Sequence, residues 1–134
     1  MAWSVGQTDG MEGELPRALT ADESAVLALL LSVNFPGVDE LRLQAASASV
    51  VRRCDCGCPS IELKVAEGAP LASGLSSRLV PADGVVSPMG DDVPGEIILF
   101  VDDGRLSYLE YVYYDAVPTE WPALDRITVS AQAR

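Results

Sequence analysis

The stretch GEIILFVDDGRLSYLEYVYYD, residues 95 to 115, constrains this chain more than any other. Two runs rich in β-branched and aromatic residues flank Asp103-Gly104, a pair that supplies the positive φ angles of a two-residue hairpin turn. The sequence therefore predicts strands at 96–102 and 105–114. IILFV is apolar at every position, so its strand belongs in the middle of a sheet with helix over at least one side. A chain of 134 residues holding this hairpin is long enough for one domain with a real core.

A second hairpin is expected upstream. ASVVRRC starts a strand-like run near Ala48. IELKVA, 61 to 66, alternates Ile61, Leu63 and Val65 with Glu62 and Lys64, the two-residue period of a strand with one wet face. Between them lies RRCDCGCPS, which would form the tip.

The helices come first in the chain. Thr20 and Glu23 match a capping box, and Asp22 and Glu23 place negative charge in the first turn. Val26, Leu27, Leu29, Leu30, Leu31 and Val33 fill most of the circumference that follows, so this helix should be largely buried. Asn34 and Pro36-Gly37 stop it. Residues 36 to 46 are ambiguous: the alternation of Leu41 and Leu43 suits a strand, while Val38, Leu41 and Ala45 suit a second, short helix, which the helix formers Leu, Arg, Gln and Ala favour. The fold class expected is α+β: two N-terminal helices on one face of an antiparallel sheet of about four to five strands, built from two hairpins, with 127–130 as the possible fifth strand. Residues 1–19 read as a loose N-terminal arm and 20–134 as a single domain. Within it, 67–94 reads as a long loop, rich in Gly, Pro, Ser and Asp, in which only 76–82 resembles a strand.

Charge narrows the function. Twenty acidic against nine basic residues give a net charge of -11, spread along the chain. Such a surface repels nucleic-acid phosphates and anionic membranes and favours a basic protein partner or simple solubility. AVLALLLSV, 25 to 33, is too short to span a bilayer, and the acidic TADES before it is wrong for an export signal. A cytoplasmic location is the resulting expectation, with thiols kept reduced.

All three cysteines sit in the predicted tip at every second position: Cys54, Cys56 and Cys58. Fully extended, the outer pair would lie about 13 Å apart. Three thiolates on one zinc must each approach to about 2.3 Å, so a metal site requires a tight turn. Asp55, Gly57 and Pro59 are residue types that make one. A fourth ligand would have to be Asp55, Glu62, water or a thiolate from a second chain, because the sequence has no histidine and no further cysteine. A redox dithiol is a second reading; Arg52 and Arg53 would lower a thiol pKa, but a C-x-C disulfide in a strand is strained. The reading that asks least is that small, mostly buried cysteines line a bend.

Other chemistry is sparse. The absence of histidine removes the commonest general base. Asp91-Asp92 and Asp102-Asp103 are paired acids in predicted loops. Glu110, in mid-strand, would matter only if buried, where its pKa would rise; it is the single candidate for a carboxylate enzyme with a pocket under 67–94.

Three segments, LLLSVNFPGVDELRLQ, RCDCGCPSIEL and ILFVDDGRLSYLEYVYYD, resemble a group of small uncharacterised actinobacterial proteins. The C-x-C-G-C-P-S bend and the D-G-R-L-S hairpin are the distinctive parts of the likeness, which runs from about residue 24 to 127. The resemblance implies a bacterial, cytosolic, single-domain protein and carries no activity or site residues. The leading functional expectation is a non-enzymatic binding or interaction protein, immunity- or antitoxin-like in one version, capturing a basic partner. The alternatives are a metal-binding protein, with zinc as the candidate ion on Cys54, Cys56 and Cys58, and a small carboxylate enzyme.

Overall fold

The computed structural model describes residues 15–88, 90 and 92–131. Most of the arm expected at 1–19 lies outside these residues. The described chain runs β1 (Arg17–Ala18), α1 (Ala21–Leu30), α2 (Val38–Ala45), β2 (Ser49–Arg53), β3 (Ile61–Lys64), β4 (Leu79–Val86), β5 (Gly95–Asp102), β6 (Arg105–Tyr113), a 3-10 turn (Leu124–Arg126) and β7 (Ile127–Ala131). One antiparallel sheet takes up all the strands, in the order β1-β2-β3-β6-β5-β4-β7.

The class is α+β, but the sheet has seven strands, not four to five, and two hairpins do not account for it. The additions are β1 and β4. β1 is two residues long, too short to show a period, and pairs through Arg17 with Val50 and Ala18 with Ser49. β4 runs through Pro81, Asp83 and Gly84, three residue types that argue against a strand. Pro81 and Gly84 each have a local reason to be tolerated. Pro81 falls in the register shift between Leu79 and Asp83, where the ladder to β5 is interrupted. Gly84 lies beneath α1, where a Cβ would come within 2.9 Å of Ile127 and 3.3 Å of Leu30. The segment 67–94 thus contains a strand, β4, held between β5 and β7.

The central hairpin forms as its sequence dictates. β5 and β6 pair from Gly95 with Tyr113 to Asp102 with Arg105, and the two turn residues have φ of 51° (Asp103) and 79° (Gly104). Along β5, Ile97, Leu99 and Val101 are buried while Glu96, Ile98 and Phe100 are half-buried. The first set faces the helices, so the sheet has one dry face and one partly wet face.

The capping box at Thr20 and Glu23 closes in both directions, at 2.8 and 3.1 Å. Glu23 also receives Arg17 through two hydrogen bonds, 2.8 and 2.9 Å, tying β1 to the start of α1. Burial pushes its carboxyl up, but the Arg17 guanidinium and the Thr20 backbone N–H outweigh that and leave it below the usual carboxylate range. Val26, Leu27, Leu30 and Leu31 face the sheet, with Ala28 and Ser24 outside.

α2 is fixed by a residue the apolar pattern does not mark. Gln44 is fully buried. Its Nε2 donates to the carbonyls of Pro70 and Gly104, both at 2.7 Å, and its Oε1 accepts the Leu106 N–H at 2.8 Å. One amide thereby clamps the turn of the central hairpin to α2 and to the 67–78 segment. Ala72 N–H also donates to Gly104 O, at 2.9 Å.

Candidate thiol site at the second hairpin tip

β2 and β3 pair from Ser49 with Lys64 to Arg53 with Ile61, with one bulge between Val50 and Arg52. Beyond them, residues 54–60 turn back rather than extend. Cys54 N–H donates to Ser60 O at 3.1 Å, continuing the ladder, and Gly57 N–H reaches Cys54 O at 3.5 Å across the tight turn. The extended geometry that keeps three thiols apart is therefore absent.

The turn gathers the three sulfurs, and all of them lie within 4.8 Å of one another. Cys54 Sγ and Cys56 Sγ are 2.8 Å apart. Cys58 N–H points at Cys56 Sγ from 3.4 Å. Exposure is graded: Cys56 is open to solvent, Cys54 is intermediate, and Cys58 is buried at 3%.

The buried end of the cluster is anchored in the sheet. Cys58 Sγ donates to Ser60 Oγ at 3.4 Å, and the same Oγ accepts the Tyr111 N–H at 2.9 Å. Ser60 is 1% exposed. β3 and β6 pair only through Ile61 with Leu109 and Glu62 with Tyr108, so the Ser60 hydroxyl supplies the next rung of that seam. Tyr111 in turn is stacked on Trp121, with ring centroids 5.9 Å apart, and its phenol donates to the Val93 carbonyl. Burial pushes that phenol up to about 12.

Electrostatics split the thiols. The Cys54 thiol first, then the Cys58 side chain and backbone N–H, hold Cys56 down at about 6. Sharing its proton with Cys56 pushes Cys54 up to about 11. The Tyr113 phenol also hydrogen-bonds Cys56, and its own ionisation is raised in consequence. The arginines expected to activate a thiol are not the leading cause. Arg52 instead faces Glu62, 3.3 Å away.

The remaining candidates are dispersed. Asp55 and Glu62, proposed as a fourth ligand, do not join the sulfur group, nor does any other carboxylate among the described residues. Glu110 is half-buried, opposite Ile98 on the wetter face of the sheet. The 360 Å³ cleft beneath 72–78 is lined by Val101, Asp103 and Gly104 and does not include it. Asp102 is structural: it takes Arg78 through hydrogen bonds of 2.6 and 3.0 Å and accepts from Ser107 Oγ at 2.7 Å. Its carboxyl is held below the usual range, chiefly by Arg78. Asp92 accepts the Ala123 N–H at 3.3 Å, and Asp91 lies outside the described residues.

Ser60, Tyr111 and Tyr113 are the site residues that sequence reasoning missed. Pro59-Ser60 closing the cysteine run was the available signal. The tyrosines reach the thiols only through the β3–β6 pairing, which joins residues about fifty apart in the chain.

Among the described residues, no helix is long and apolar enough to cross a membrane. Comparison of the chain with protein-family models, with curated proteins and with solved structures found no match.

Proposed function

We propose that this protein binds one soft metal ion through Cys54, Cys56 and Cys58. The observation that carries the reading is the convergence of all three sulfurs within 4.8 Å at a surface turn. Zinc–thiolate bonds of about 2.3 Å in a tetrahedral site place sulfurs about 3.8 Å apart. The Cys54–Cys56 pair, now at 2.8 Å, has to open by about 1 Å to meet that spacing. The low ionisation of Cys56 supplies the first thiolate near neutral pH.

With no histidine and no fourth cysteine in the chain, the protein's soft donors end at three. Copper(I) suits a site made of thiolates alone, whereas zinc takes water or an outside donor in a fourth position. Either ion leaves Cys56 as the solvent-facing ligand and Cys58 as the anchor in the sheet. Thiolate binding of this kind suits a reducing compartment, in keeping with the cytoplasmic expectation.

Elemental analysis of protein purified without added metal, followed by zinc(II) and copper(I) titration, tests the proposal. One equivalent bound by the wild type and none by Cys56→Ser is the expected result. Sub-stoichiometric metal, with a melting temperature unchanged by chelator, ends it.

A second reading, capture of a basic protein, draws on the wetter sheet face, where Ile98, Phe100, Tyr108 and Val112 are half-buried beside Glu96 and Glu110. A pull-down at low and high salt tests it; a partner retained equally at both is not held by charge.

A further inference from the structure

We propose that Cys56 and Cys54 form a thiol–disulfide exchange pair, oxidised to an intrachain disulfide by low-molecular-weight disulfides. This activity goes beyond metal binding and requires no metal.

The argument is geometric. In a strand, residues i and i+2 sit about 6.6 Å apart, at the upper limit for bridging. Here Cys54 opens a tight turn, and Cys56 is folded back onto it until the sulfurs are 2.8 Å apart. A disulfide is about 2.05 Å long, so closure needs a movement of about 0.8 Å. Asp55 and Gly57, on either side of Cys56, are exposed, and a Cβ built on Gly57 meets nothing within 4 Å. The turn can adjust without disturbing the core.

Exposure assigns the roles. Cys56 is the solvent-facing sulfur that an incoming disulfide can reach, and Cys54 lies behind it. Cys58 is buried and engaged with Ser60, out of the exchange. In the first step the Cys56 thiolate attacks one sulfur of R–S–S–R. A mixed disulfide forms and one RS⁻ leaves. In the second step Cys54 gives up its proton to solvent and its thiolate attacks Cys56 Sγ. The mixed disulfide breaks and the second RS⁻ departs. Both thiolates take up protons, so one small disulfide and two protein thiols become one protein disulfide and two small thiols. Oxidation removes two of the three proposed metal ligands, so the disulfide and the metal are mutually exclusive.

The test uses metal-free, full-length protein equilibrated with mixtures of reduced and oxidised glutathione, then acid-quenched, alkylated and mapped by peptide mass. The expected product is a single Cys54–Cys56 disulfide with Cys58 alkylated. Its equilibrium constant should fall at least about tenfold when the exchange is repeated in denaturant, because unfolding releases the paired sulfurs. Cys54→Ser should accumulate a glutathione adduct on Cys56. A bridge involving Cys58, an intermolecular bridge, an adduct on Cys58, or equal constants for folded and denatured wild type overturns the assignment. The folded-against-denatured comparison needs no variant. Because the readout is peptide mass without metal, failure of exchange and failure of metal binding register separately.

Discussion

The turn at Asp103-Gly104 and the turn at 54–58 close two hairpins of the same sheet, yet one is locked and the other is open. Gly104 O accepts from both Gln44 Nε2 and Ala72 N–H, and a Cβ on Gly104 would come within 2.7 Å of Ala72 O. The Gly104 backbone is committed to α2 and the 67–78 segment, although the Asp103 and Arg105 side chains beside it face solvent. At the cysteine tip, a Cβ on Gly57 would meet nothing, Asp55 and Cys56 face solvent, and of the three cysteines only Cys58 is buried. The contrast shows how one sheet separates the turn that organises the core from the turn left available for chemistry.

The comparison can be broken most forcefully at Gln44. Gln44→Ala leaves the Leu106 N–H and the Pro70 carbonyl without their buried partner and opens a void. At about 1–3 kcal/mol for each unsatisfied group, urea unfolding should show a loss of roughly 3–5 kcal/mol. A loss below about 1 kcal/mol means that the clamp is not what locks the tip.

Gly104→Ala attacks the same tip through the backbone. Its φ of 79° and the crowding against Ala72 predict about 2 kcal/mol of destabilisation, read in the same titration. If both turns are equally committed, substitutions at the cysteine tip should hurt as much. Instead Cys56→Ser in metal-free protein should stay within about 0.5 kcal/mol of wild type, because the side chain is exposed and its contacts are surface hydrogen bonds that a serine hydroxyl can also make.

The smallest effect is on rate rather than stability. In metal-free protein, Cys56 alkylation should rise through a midpoint of about pH 6 and level off above it. The sign follows from the lowered value, since the reactive thiolate is the form present above the folded pKa. In denaturant the midpoint should return towards the ordinary thiol value of about 8.5. A folded-state midpoint already at that value would show that the gathered thiols do not influence one another.

The parts of this molecule legible in the sequence were those written in local code. Asp103-Gly104, the Thr20 and Glu23 box and the alternation at Ile61, Leu63 and Val65 each act within a few residues, and each formed. β4 was legible only at its start, where 76–82 resembles a strand and overlaps Leu79–Val86; its remainder was hidden because tertiary contacts overrule composition, with Pro81 in a register shift and Gly84 packed close beneath Ile127 and Leu30. Gln44 was hidden because a polar residue on a helix gives no sign that it will meet three backbone groups from elsewhere. For the site, the residues were visible but their arrangement was not. Spacing fixed the extended limit and not the turn, and nothing local linked Cys58 to Tyr111.

That link gives the molecule a built-in reporter. The Tyr111 amide proton hangs on a serine hydroxyl rather than on a backbone carbonyl, and the Tyr111 ring lies against Trp121. A change at Cys58 is therefore two hydrogen bonds and one ring stack from an indole, and both indole fluorescence and the exchange rate of a single amide become gauges of what the thiols hold.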